Sequence, residues 1–343
     1  MDLVPDLSQP AGWLPLVFVG VMALSMLAYV ILDGYDLGVG VLLRHADDGA
    51  QKDTMIASIG PFWDANETWL VLGVGVLLVA FPVAHGVILG HLYLPVALML
   101  VALTLRGVAF DFRVKAQASH KHLWDRAFQL GSMLAGWSQG YMLGALITGF
   151  QDGAWNMLFS ALIGLCLLAA YRLLGAGWLI MKTEGRLQRK AVDWAWSSLW
   201  LTALGIATIS IVTPLVSSRI FDKWFAFPNV VLLLPIPLVT LVLFVLIARS
   251  LRRLPKRLEQ GNEYGVAVPF AGTIGIMLLA FYGLAYSLFP WLVIDRITLW
   301  QAASAPQALM VIFYGVVLVL PVIIAYTVFA YRVFWGKSTA LVY

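Results

Sequence analysis

Apolar residues dominate nine stretches of this chain, and polar residues gather between them. The stretches run roughly over 13–43, 60–82, 84–108, 127–150, 154–181, 191–216, 229–250, 266–291 and 306–335. At about 1.5 Å of rise per residue, each helix would be long enough to cross a hydrocarbon core of about 30 Å. The pattern predicts an all-α polytopic membrane protein with nine transmembrane helices. All connections are short, so residues 1–343 read as a single integral membrane domain. Nine spans place the two termini on opposite sides.

The basic residues orient the chain. Most fall in one alternating set of loops: Arg44 and Lys52, then Arg106 to Arg126, Lys182 to Lys190, Arg249 to Arg257, and the tail with Arg332 and Lys337. The opposite set holds only Arg219, Lys223 and Arg296. The positive-inside rule then predicts a periplasmic N-terminus and a cytoplasmic C-terminus. Trp and Tyr cluster near span ends, as interfacial belts require.

Composition agrees with the pattern. Hydrophobic residues make up 61% and charged residues 12%, against about 25% charged in soluble domains. The net charge of +4 does not imply nucleic acid, because the cations sit where topology signals belong. The one cysteine, Cys166, lies in an apolar run, which excludes a disulfide framework within the chain and any CxxC motif. The opening "MDLVPDLSQP" is acidic, lacks a basic n-region, and reads as mature sequence.

Against this background the intramembrane polar residues stand out. Span 1 carries "ILDGYDLGVG", with Asp33 and Asp36 three apart on one helix face. Asp33 lies eleven residues before Arg44, or about 16 Å along a helix. A carboxylate at that depth costs about 2.5 kcal/mol or more and must be protonated, paired or hydrated. Gly34 and Gly38 form a small-xxx-small pattern that lets a neighbouring helix approach. Span 2 opens with "GPFWDANETW", where Pro61 suits a helix start and Asp64 and Glu67 share a face.

Asp64 has two readings. It is either a helix-start carboxylate at the surface, favoured by the helix dipole, or part of a proton path. Asn66 and Glu67 continue the polarity inward, and Asp33 and Asp36 enter from the same side. Four acids in the cytoplasmic half of two spans resemble a proton relay. Arg106 is either a topology arginine or the partner of Asp33, Asp36 or Asp64, with Asp111 following in "LRGVAFDFR". Arg172 lies about 15 Å deep and needs a partner or a wet cleft. His85 and His91 are six apart, which is not one helix face, and His91 has no facing histidine.

The motifs then become specific. "ILDGYDLGVG" (31–40), "GPFWDANETWLVLGVGVLLVAFP" (60–82), "LRGVAFDFR" (105–113), "FPWLV" (289–293), "LVLPVIIAYT" (318–327) and "FWGK" (334–337) resemble subunit II of the cytochrome bd-type quinol oxidases. "LLGAGWLIMKTEG" (173–185) is similar to the shorter, cyanide-insensitive branch. The resemblance implies two four-helix bundles plus one further helix in a bacterial cytoplasmic (inner) membrane. It implies an obligate heterodimer with subunit I, which carries two b-type haems, haem d and the quinol site and reduces O2 to water.

By the same resemblance this chain binds no haem or metal. A structural quinone occurs in subunit II of some members, and a small single-helix subunit can accompany the pair. The aspartate of the "WDxN" motif, here Asp64, would admit cytoplasmic protons at the subunit interface. Asp33, Asp36 and Glu67 would share the path, with Trp63, Asn66, Arg106 and Asp111 in support. The alternative from another class is a self-contained proton-coupled transporter. Broken helices or paired repeats would favour it, and neither is clear here.

Overall fold

The computed structural model describes residues 5–117 and 119–338. It is all-helical apart from one small ribbon. The order is α1 (Pro10–Leu42), a 3-10 turn (Leu43–His45), α2 (Gly49–Ile59), α3 (Trp63–Ala80), α4 (Pro82–Lys115), α5 (Lys121–Ile147) and α6 (Ala154–Lys182). Then come α7 (Gly185–Val216), α8 (Ser218–Phe225), α9 (Asn229–Leu233), α10 (Pro235–Glu259) and α11 (Val268–Leu288). The ribbon β1 (Trp291–Val293) and β2 (Ile297–Thr298), α12 (Leu299–Ala302) and α13 (Pro306–Val333) follow.

Among the described residues, eight helices are long and apolar enough to cross a membrane: α1, α3, α4, α6, α7, the α9–α10 pair, α11 and α13. The chain is a multi-pass membrane protein. The helix over the predicted fourth span, α5, has 27 residues but is not one of the eight. Its composition explains why. Gly131, Ser132, Gly136, Ser138, Gly140 and Gly144 are all buried, and small residues at a contact face trade hydropathy for close approach.

The chain forms two compact units. One comprises the chain up to Asp33, Pro61–Leu92 and Leu288–Trp335. Here α3 packs along the stripe Asn66, Trp69, Gly73, Val76, Leu77 and Ala80, at helical spacing. A Cβ on Gly73 would lie 2.7 Å from Met26 Cε. The end of the unit is tied by polar contacts to backbone. Trp300 Nε1 donates to the Gly12 carbonyl at 2.9 Å, and the Ser304 hydroxyl donates to the Val79 carbonyl at 2.7 Å. Thr298 and Gln301 form a capping box that starts α12 beside the ribbon.

The other unit comprises Gly34–Gly60, Tyr93–Ser287 and the chain from Gly336. Its centre is a set of glycine contacts. A Cβ on Gly38 would collide with the Tyr171 carbonyl, and one on Gly175 with the backbone of Gly38. The small-xxx-small expectation for span 1 is met there. Gly140 abuts Gly164 and Gly144 abuts Ser160 in the same way, joining α5 to α6. Tyr35 stacks on Trp178 at 4.2 Å between ring centroids, and Trp178 Nε1 donates to the Ser58 carbonyl at 3.2 Å. The helix α2 was not foreseen. It is only 11 residues long, too short to register as a span.

Candidate functional site

The first turn of α3 presents two faces. Asn66 points inward and is 1% exposed. Its Nδ2 donates to the Leu32 carbonyl at 3.2 Å, and the Tyr331 hydroxyl donates to its Oδ1 at 3.2 Å. Phe62 stacks on Tyr331 at 4.6 Å. One amide thus joins α1, α3 and α13 at the peptide that precedes Asp33. Asp33 itself is fully buried.

Asp64 lies on the opposite side. Two residues along a helix rotate by about 200°, so Asn66 turned inward puts Asp64 outward. The structure places Asp64 exposed, with Trp63 and Glu67 half-buried beside it. No ion pair to Asp64 is found among the described residues. Helix α3 begins at Trp63, so Pro61 sits in the turn just before it rather than in its first turn. Asp64 is therefore a surface carboxylate at the start of α3.

In the other unit, Asp36 and Arg106 are both fully buried. Arg106 Nη2 lies 4.0 Å from Asp36 Oδ2, and its guanidinium sits 5.9 Å above the Phe128 ring. Asp36, one of the three acids open to Arg106, thus lies at ion-pair distance from it. Gly131 lets α5 approach closely: its Cβ would lie 3.0 Å from the Arg106 backbone nitrogen. Asp111 is further along α4 and exposed.

A second ionic cluster escaped sequence reasoning. Arg113 Nε donates to Asp125 at 2.5 Å and its Nη1 to Asp53 at 2.6 Å. Lys52 Nζ donates to the other Asp125 oxygen at 3.0 Å. Arg113 and Asp125 are 3% and 8% exposed. This cluster ties α2, α4 and α5. The one available signal was that Asp53 and Asp125 stand among the topology cations. Nearby, Asp47 accepts from Lys190 at 2.5 Å and Arg186 at 2.9 Å. The Lys190 hydrogen bond holds the Asp47 carboxyl below the usual carboxylate range.

His91 is exposed, with Nδ1 2.8 Å from the Val87 carbonyl. Among the described residues no group of three His, Cys, Asp or Glu is arranged to hold a metal ion.

Comparison with known proteins places these features in a family context. The family model described as "Cytochrome bd terminal oxidase subunit II" matches residues 14–334. Cytochrome bd ubiquinol oxidase subunit 2 of Bacillus subtilis (strain 168) is 26% identical over 332 residues, covering 91% of this chain and 93% of that one. Cytochrome bd-I ubiquinol oxidase subunit 2 of Escherichia coli (strain K12) is 25% identical over 360 residues, covering 92% of each chain. The structure of bd oxidase from Geobacillus thermodenitrificans shares the fold, with a TM-score of 0.72 and 18% identity over 94% of this chain and 98% of that one.

Proposed function

The chain belongs to the cytochrome bd terminal oxidase subunit II family, and from that premise we propose that it is the non-haem subunit of a quinol oxidase that admits protons at Asp64. Its partner is subunit I, in an obligate heterodimer in the bacterial inner membrane. The haems of subunit I, when bound, carry electrons from quinol to O2. Water formation consumes protons, and this chain's part is to let them enter from the cytoplasm. No pumping step is needed, because quinol releases its protons on the other side.

The observation that carries the reading is the split of the α3 first turn. Asn66 is spent on internal contacts, while Asp64 faces outward beside Trp63 and Glu67. A partner helix against that face would complete a polar channel at the subunit interface. Asp33 and Glu67 line its course, and Trp63 and Asn66 support it. We also propose nine spans, with α5 as the fourth, forming two four-helix bundles plus one helix in a single membrane domain. The N-terminus is then periplasmic and the C-terminus cytoplasmic.

The test begins with the purified chain and whatever travels with it. A reduced-minus-oxidised spectrum should show haems b and d that follow a larger co-purifying subunit. A colourless chain that purifies alone would favour a proton-coupled transporter instead. In the assembled complex, Asp64→Asn should lower quinol oxidase turnover by about 100-fold or more, the scale of a lost proton-transfer group. Full turnover in that variant would remove Asp64 from the path.

A further inference from the structure

The ends of α1 and α5 enclose a cavity of about 240 Å³ that includes Arg44, Lys52, His122, Asp125, Arg126 and Gln129 in its wall. Four of these come from one face of α5, at the spacing i, i+3, i+4 and i+7. Arg44 comes from the turn after α1 and Lys52 from α2.

The charge here is unbalanced. Asp125 is the cavity's one acid, and its two oxygens are taken by Arg113 and Lys52. Among the described residues Arg44 and Arg126 have no ion pair. Topology signals need cations in a loop, but they do not need them to converge from three elements on one cavity.

The level in the membrane is also marked. Trp124 packs against Phe112 at 5.4 Å between ring centroids, and aromatic residues gather at the membrane–water boundary. Leu123 and Leu130 are 50% and 51% exposed and stand three residues before and four after Arg126. Apolar surface suited to an acyl chain therefore adjoins the cations directly. Basic pockets between helices at this level take phospholipid headgroups.

We propose that this cavity binds the phosphate of an anionic phospholipid, held by Arg44 and Arg126 with the acyl chains along α5 at Leu130. The site requires that the chain spans a membrane, and it stands apart from the oxidase reading. It is tested by native mass spectrometry of the detergent-purified chain with its co-purifying partner, titrated with phosphatidylglycerol or with phosphatidylcholine of the same acyl chains. Masses resolve which polypeptide is present, so loss of the oxidase partner and loss of lipid are read separately.

Wild type should retain phosphatidylglycerol preferentially. An arginine set against the headgroup is worth about fivefold toward anionic lipid, so Arg44→Gln with Arg126→Gln should cut that preference by about 10-fold or more. Gln129→Glu, which adds one negative charge without removing a cation, should cut it by about fivefold and serves if the arginine variant does not assemble. Arg253→Gln, on an exposed arginine of α10, should leave the preference unchanged. Unaltered preference in Gln129→Glu and in the arginine variant, where that one assembles, would overturn the proposal. Displacement of the lipid by millimolar inorganic phosphate would reassign the cavity to a soluble anion and overturn the lipid assignment.

Discussion

Asp36 and Asp64 are both aspartates in apolar helices, and the fold treats them oppositely. Asp36 is fully buried on α1, with a guanidinium 4.0 Å away. Asp64 is exposed on α3, with no cation paired to it among the described residues. A buried carboxylate must be compensated where it stands, so it becomes part of the scaffold. An exposed one can exchange protons without disturbing the packing. The same side chain is therefore structural in one helix and available in the other.

The sharpest way to break the comparison is to remove the cation. Arg106→Met should destabilise the chain by about 3–5 kcal/mol, because it removes a buried cation beside the buried Asp36 carboxylate. Thermal unfolding in detergent measures this, and adding Asp36→Leu to the same variant should restore much of the loss. If Arg106→Met is as stable as wild type, Asp36 does not depend on its partner.

The Asn66 node should rank below it. Tyr331→Phe removes one hydrogen bond at 3.2 Å and keeps the stack on Phe62, so the cost should be about 1 kcal/mol. A cost as large as that of Arg106→Met would make the amide node, not the ion pair, the main polar tie.

Asp64→Asn should change stability by about 0.5 kcal/mol or less, as surface substitutions do, while turnover falls as described above. A matching loss of stability would turn the turnover effect into a packing effect. The smallest expected effect belongs to Asp47. Its carboxyl lies below the usual range because of Lys190. The stabilisation is therefore present above the ordinary aspartate value of about 3.9 and fades as pH falls through the lowered value. The stability gap between wild type and Lys190→Gln should narrow over that acid range in a pH series. What remains would belong to the 2.8 Å bond from Lys190 to the His45 carbonyl.

Each of these settings bears on what could be read in advance. The polar turn "FWDANETW" was legible because acids are rare in apolar helices, but that Asn66 turns inward while Asp64 faces out came from the structure. Gly34 and Gly38 were legible because a repeat of small residues has few other uses in a membrane. Arg106 was legible only as a choice among three acids. Tyr331, 265 residues from Asn66, was not legible, since a tyrosine in a long apolar run looks like any interfacial aromatic. The Arg113–Asp125 cluster was hidden because loop cations already had a sufficient explanation.

The sequence by itself determined the class of the molecule: apolar length and charge spacing obey the hydrocarbon thickness and the cost of moving charge through it, and both are local properties of the chain. Its ordered motifs determined the family. Only the tertiary structure decided that Arg106 lies beside Asp36, which amide joins α1 to α13, and which cations converge on one cavity. Those are contacts between residues far apart in the chain, and their energies depend on distances and burial that no spacing along a single helix specifies.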